Sequence, residues 1–285
     1  MVEKLSLSKN ETLFVLPRGG RHFTRPIFHL QPDSMPELAE CARRWPHENG
    51  ETVNTIQSEM QTSPQKQLWL ACETAFFADL PQPARYYALP AAERAQGYER
   101  FGADGLFHAW AAHQNSQANR LVSIHLCGNT TLAAIHNGKA IDTSAGYSAL
   151  EGLPGLSTCG DIDPSLIGLF NEKGLSPIEI RDQLYQNSGW RALVANATFT
   201  DLINSSDPAF ALPRTMLTYA LYKSIGAMLS ALGGADLIFI GCENEVECRS
   251  FFTGLRQHFA FTSCEFQLKT VPREKVLLYA WSTGQ

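Results

Sequence analysis

A basic surface is missing from this chain. Its 23 lysines and arginines are outnumbered by 28 acidic residues, leaving a net charge of −5, which argues against a nucleic-acid surface. Also missing is any uncharged apolar run approaching the roughly 18 residues that a membrane helix requires. The stretch around residues 227–232 is short and continues into Gly233-Gly234. The start, MVEKLSLSKNETLF, lacks the basic-then-apolar build of a secretory signal. Seven cysteines are present, without a CxxC pair or Cys/His ligand spacing; Cys242 and Cys248 stand as a loose pair. An odd, scattered count predicts reduced thiols, no structural zinc and a cytoplasmic protein. No internal repeat or low-complexity segment interrupts the chain.

What remains is a globular composition, 44% hydrophobic and 18% charged over 285 residues, enough for one large or two medium domains. The densest pattern lies at 121–164, LVSIHLCGNTTLAAIHNGKAIDTSAGYSALEGLPGLSTCGDIDP. Three β-like runs (121–126, 130–136 and 139–142) are punctuated by Gly128-Asn129 and Asn137-Gly138, the signature of a β-meander. Small residues at 127–131 would let backbone N–H groups approach an anion. An ordinary meander with glycine turns explains the pattern equally well.

Upstream, residues 13–16 and 25–30 read as a hairpin about Pro17-Arg18-Gly19-Gly20, with Arg18, Arg21 and His22 crowding a turn that could attract an anion. Residues 35–45 form a helix capped by Asp33 and Ser34 with Pro36 early. Residues 51–61 form a second helix, with a loop at 45–49 carrying His47. Residues 68–72 form an apolar strand that delivers Glu73 to its end, where α/β folds often place chemistry. Residues 91–98 are read as helical, and 101–108 lead into a helix through Ala118. Ser176, Pro177 and Glu179 have capping-box spacing. Residues 215–232 form a helix closed by Gly233. A strand at 237–240 turns through Gly241, Glu243 and Asn244 into a helix at 245–259, a geometry that can set a helix N-terminus against a phosphate. Residues 264–268 and 276–281 are read as final strands.

The frame HLCGNTT, AIHNGKAIDTSAGYSALEGL and PGLSTCGDIDP resembles the second phosphate-binding hairpin of the acetate and propionate kinases, HLGNGSS, AI–NGKSVDTSMG, TPLEGL and MGTRSGDIDP. Further matches cover nearly the whole chain. Residues 71–90 resemble FDTAFHQTMP and AYLYALP, and 101–108 resemble YGFHGTSH. Residues 13–30 follow the layout of the first phosphate hairpin, LVINAGSSSLKY. Residues 46–60 look like the PLHNPPN segment, which places His47 on its histidine. Residues 240–244 resemble the adenosine-side GIGEN turn, and 271–280 are similar to IPTNEELAIA.

The resemblance implies an α/β protein of the acetate/sugar kinase–Hsc70–actin type, with two RNase H-like domains flanking a nucleotide cleft. Residues 77–266 would form a complete C-terminal domain. Residues 1–76, with a C-terminal strand in 270–285, would form a shortened N-terminal one, lacking the segment that contains HRVVHGG and its substrate-binding arginine. It also implies ATP or ADP with Mg²⁺ as cofactors, and a homodimer through the C-terminal domain or a heterodimer with a full-length family kinase. A small carboxylate or acyl phosphate would be the ligand, with no nucleic acid or membrane as partner.

Carried over residue by residue, the resemblance leaves an eroded site. The arginine of GTRSGD falls on Thr158, the leading histidine of HGTSH on Asp104, and the asparagine of NAGSSS on Pro17. The aspartate of FDTAFH becomes Glu73 and its histidine Phe77. The metal-binding glutamate of TNEEL falls on Lys275, with Glu274 one position away. The nucleotide-side DFR triplet becomes Thr198-Phe199-Thr200. Candidate catalytic residues are therefore Glu73, His47 and Arg18, and candidate nucleotide-binding residues are His125, Gly128, Asn129, Gly241, Glu243 and Asn244. Two functional expectations stand side by side. One is a pseudokinase acting as an accessory, regulatory or ligand-sensing subunit. The other is an ATP-dependent short-chain carboxylate kinase, or a repurposed acyl-phosphate enzyme, with a rewired site.

Overall fold

Mostly apolar runs that can bury both faces belong at the centre of a parallel sheet. The computed structural model describes residues 2–284 and places four such runs as two central parallel pairs. In the first sheet, β1 (Lys4–Ser8), β2 (Glu11–Leu16), β3 (Ile27–His29) and β4 (Gln67–Cys72) are ordered β1-β2-β4-β3. In the second, β5 (Arg120–Leu126), β6 (Thr131–His136), β7 (Lys139–Thr143), β8 (Leu237–Cys242) and β9 (Glu265–Thr270) are ordered β7-β6-β5-β8-β9. β5, β6 and β7 form the expected antiparallel meander, and β8 and β9 continue the sheet in parallel. Asn137 and Gly138, both at positive φ (49° and 78°), close the β6–β7 hairpin, the dihedral requirement of a type I′ turn.

The helix Gly105–Gln114 joins the two sheets. Its Leu106, Phe107 and Trp110 share one buried cluster with Leu13, Val15 and Ala71 of the first sheet and Leu121, Ile135 and Phe239 of the second. Complete burial of a side chain such as Leu106 or Phe107 contributes about 1.5–3 kcal/mol, so this shared helix fixes the sheets against each other. The loops after β2 and β4 and the loops after β5 and β8 consequently meet at one end of it.

Three expectations are corrected. Residues 13–30 are not a hairpin: β3 pairs with β4, and β4 lies between it and β2. β2 and β4 are the apolar runs that need partners on both edges, so they pair together and three-residue β3 takes the rim. Residues 276–281 are helical, within Arg273–Gly284, because Val276, Leu277 and Ala280 are the buried positions, a helical spacing rather than an alternating one; no C-terminal strand lies in 273–284. His47 is in a helix, Pro46–Thr62, since Pro46 takes a first-turn position whose missing N–H costs nothing. The capping box at Ser176 forms as expected, with Ser176 Oγ accepting from the Glu179 N–H at 3.3 Å. Gly233 closes the helix Ala211–Leu232 in the left-handed region, φ 65°. No helix among the described residues is long and apolar enough to cross a membrane.

Candidate functional site

Parallel strands end side by side, and the loops that follow them gather chemistry there. Leu16 and Cys72 are paired at the ends of β2 and β4. The next residues, Pro17-Arg18 and Glu73, open a cavity of about 240 Å³ whose far wall carries Asp104, Asn129 and Thr158. Six of the residues singled out from sequence therefore converge. Arg18 is the single arginine or lysine lining the cavity among the described residues.

Arg18 is 2% exposed. Its Nη1 donates to the carbonyls of Gly102 and, at 3.3 Å, Gly146, and its Nε lies 4.0 Å from Glu48 Oε1. The backbone behind it is clamped by fully buried Asn49, whose Oδ1 accepts from the Arg18 N–H at 3.0 Å and whose Nδ2 donates to the Arg18 carbonyl at 2.8 Å. Nη1 thus supports the wall, while Nη2 makes no hydrogen bond among the described residues.

Glu73 holds the start of the joining helix. Its carbonyl accepts the Gly105 N–H at 2.9 Å and its Oε2 accepts the Leu106 N–H at 3.1 Å. A carboxylate there is favoured by the helix dipole. A Cβ on Gly105 would overlap the Glu73 carbonyl, so only glycine permits this approach. Its other oxygen is ion-paired with Arg273. Burial raises the Glu73 pKa, against the opposing pull of Arg273. Neither Arg273 nor the Asn49 clamp was evident from sequence.

Asp104 adopts the left-handed conformation, φ 53°, at the cap of the same helix. Its Oδ2 accepts from Thr131 Oγ1 at 2.7 Å and from His125 Nδ1 at 3.0 Å. Burial alone would raise the Asp104 carboxyl; the His125 cation and these hydrogen bonds hold it well below the usual carboxylate range. Burial alone would lower His125; the Cys127 sulfur, 3.8 Å from Nδ1, and the Asp104 carboxylate reverse that and hold it well above the ordinary imidazole value. The ring stacks on Phe107 with centroids 4.4 Å apart. Behind Thr131, fully buried His108 bonds Thr131 Oγ1 at 3.1 Å and Ser123 Oγ at 2.9 Å, and burial pushes it down to about 3. An acidic group beside a site was the expectation at Asp104, but its charge is balanced by His125.

A second cavity, about 510 Å³, opens beyond the ends of β5 and β8 and is lined by Gly128, Glu243, Asn244 and the Thr198-Phe199-Thr200 triplet. Glu247 spans it, its Oε2 accepting from Thr200 Oγ1 at 2.8 Å and its Oε1 from Asn244 Nδ2 at 2.9 Å. Arg191 is its one lining arginine or lysine among the described residues, and Arg191 Nε donates to the Ala197 carbonyl at 3.2 Å. Gly128 and Asn129 thus divide between the two cavities.

Four candidates line neither cavity; His125 reaches the first only through Asp104. His47 stacks on Tyr185 at 4.4 Å with its Nε2 3.2 Å from Asp182 Oδ1, and the cavity takes its neighbour Glu48 instead. Gly241 sits opposite His125 in the β5–β8 pair, where a Cβ would overlap Phe107. Glu274 is exposed and lines neither cavity. All seven cysteines are free.

A profile of the Acetokinase family matches residues 14–270. Among curated relatives, an acetate kinase of Thermosipho africanus is 29% identical over 77% of this chain and 57% of its own length. An acetate kinase of Rhodopseudomonas palustris is 30% identical over 78% of this chain and 58% of its own. The chain thus spans a little over half the length of these relatives. Among solved structures, a propionate kinase from Francisella tularensis aligns with a TM-score of 0.82 at 20% identity, covering 93% of this chain and 77% of that one. The Entamoeba histolytica acetate kinase aligns at 0.80 and 23% identity, covering 95% and 79%.

Proposed function

Since the chain belongs to the acetokinase family, we propose that it is a family member whose cleft binds a ligand without transferring a phosphoryl group, serving as a ligand-sensing, regulatory or accessory subunit. One observation carries this reading. The family's GTRSGD arginine is Thr158 here, on the cavity wall, and the remaining lining cation, Arg18, is tethered through Nη1 to two backbone carbonyls. Transfer needs mobile or open cations on the phosphoryl oxygens, and one arginine in that role is worth about 10³–10⁵ in rate.

The second cavity suits a nucleoside better than a triphosphate. Glu243 and Glu247 on its wall oppose phosphate charge against a single lining cation, Arg191, among the described residues, and the threonine and asparagine side chains there are neutral. The two sheets correspond to the family's two domains, with the first shortened. An exposed stripe on Ala211–Leu232, formed by Leu212, Met216 and Tyr219, fits a second copy of the chain; a full-length relative is the competing partner. A cytoplasmic setting follows from the family.

The second reading is an ATP-dependent acetate or propionate kinase, or an acyl-phosphate enzyme, with a rewired site. The observation favouring it is His125, held protonated at the end of β5 beside the cavity.

Calorimetry with adenosine, ADP and ATP tests the preferred reading. Binding of adenosine within about tenfold of ATP, or 1.4 kcal/mol, is expected. ATP bound more than 100-fold tighter than adenosine would show a working phosphate site and favour the kinase.

A further inference from the structure

Phosphoryl transfer ordinarily enlists Mg²⁺, which is held through one or two carboxylates with oxygens open to it. Four carboxylates reach the first cavity, Glu48, Glu73, Asp104 and Glu151, and each is already engaged by the chain. Asp104 Oδ2 takes Thr131 and His125. Glu151 takes Arg100 Nε at 2.8 Å and the Tyr87 hydroxyl. Glu48 Oε1 accepts from the Ala149 N–H at 3.1 Å and the Tyr185 hydroxyl at 2.9 Å. Glu48 Oε2 and Asp104 Oδ1 carry no hydrogen bond among the described residues, and Arg18 stands 4.0 Å from Glu48 Oε1.

Glu73 is the most tightly closed. Leu106 N–H occupies one oxygen and Arg273 the other. Arg273 is in turn anchored by Glu3, with Nη2 2.9 Å from Oε2 and Nε bonded to Oε1. This forked pair fixes the guanidinium in place. A divalent ion approaching Glu73 would have to displace a cation held by two carboxylates. Among the described residues no group of three His, Cys, Asp or Glu side chains is arranged to hold a metal. Glu73, held in this way, does not fit Mg²⁺.

We infer that Arg273 is a built-in counter-ion, occupying the position on Glu73 that a divalent cation would otherwise take, so that Glu73 itself takes no metal. The family resemblance implies no such residue: the segment's metal-binding glutamate falls on Lys275, with Glu274 one position away. The inference holds whether the cavity catalyses or only binds, so it is tested without nucleotide or carboxylate.

The experiment is a Mn²⁺ titration of the full chain followed by electron paramagnetic resonance, in which bound ion loses the sharp signal of free Mn²⁺. The unaltered protein should leave the signal undiminished to about 1 mM, whereas Arg273→Gln and Arg273→Ala, checked for folding by circular dichroism, should bind at least about tenfold tighter. Adding Glu73→Gln to either variant should abolish that gain. Arg273→Lys, which keeps the charge, should stay silent. Stoichiometric binding by the unaltered protein that Glu73→Gln removes would overturn the inference. So would folded Arg273→Gln and Arg273→Ala variants that gain no affinity. Should neither variant fold, the unaltered protein and its Glu73→Gln variant still decide the question.

Discussion

His125 Nδ1 lies 3.0 Å from Asp104 Oδ2, joining the end of β5 to the cap of the helix that couples the two sheets. The carboxylate is held low and the imidazole high. The Asp104 contribution to stability is present above its unfolded value of about 3.9 and lost as pH falls through its folded one. The His125 contribution is present below about 6.5 and lost as pH rises through its raised value. In ¹H–¹³C NMR titrations, the His125 ring should therefore titrate above neutrality, and Asp104→Asn should move that midpoint down. An unchanged midpoint would refute the pairing.

His108 works in the opposite direction. It is fully buried and held neutral, pushed down to about 3. Below about pH 6.5 the unfolded chain takes up a proton that the folded imidazole refuses, so stability declines with acidity by up to about 1.4 kcal/mol per pH unit. Urea unfolding at a series of pH values should show a flatter acid limb for His108→Asn than for the unaltered chain. Parallel acid limbs would contradict this.

Much of this arrangement was legible in the sequence. The alternation in 121–142 and the Asn137-Gly138 pair specify the meander, because period two and a left-handed turn pair leave few other structures. The apolar run ending at Glu73 placed that carboxylate correctly. Sequence reading failed where a partner lies far along the chain. Arg273 meets Glu73 across 200 positions, and nothing local marks either as half of a pair. It failed also where one composition suits two structures: VLLYAW at 276–281 is β-rich in type, yet its burial follows helical spacing. His47 and Glu48 show the same limit at single-residue scale, since only the helix phase decides which one faces the cavity.

Removing Arg18 should cost stability before it costs anything else. In Arg18→Met the carbonyls of Gly102 and Gly146 lose their donor, a loss on the order of 1–3 kcal/mol for buried groups left unsatisfied. Denaturant midpoints would measure it. A shift below a few tenths of a kcal/mol, within the range of ordinary surface substitutions, would mean that Arg18 is free to serve a ligand.

The stripe Leu212, Met216 and Tyr219 gives the prediction on assembly. Met216→Glu should convert a dimer to a monomer in light scattering, with the circular dichroism spectrum unchanged. A dimer that survives both Met216→Glu and Tyr219→Glu would place the interface elsewhere.

The most direct measurement is steady-state formation of acyl phosphate from ATP with acetate or propionate, trapped as the hydroxamate. A cleft that binds without transferring predicts turnover at least about 10³-fold below the 1–100 s⁻¹ usual for kinases, unaffected by His125→Ala. Turnover on the order of 1 s⁻¹ that His125→Ala abolishes would contradict it and establish the rewired kinase instead.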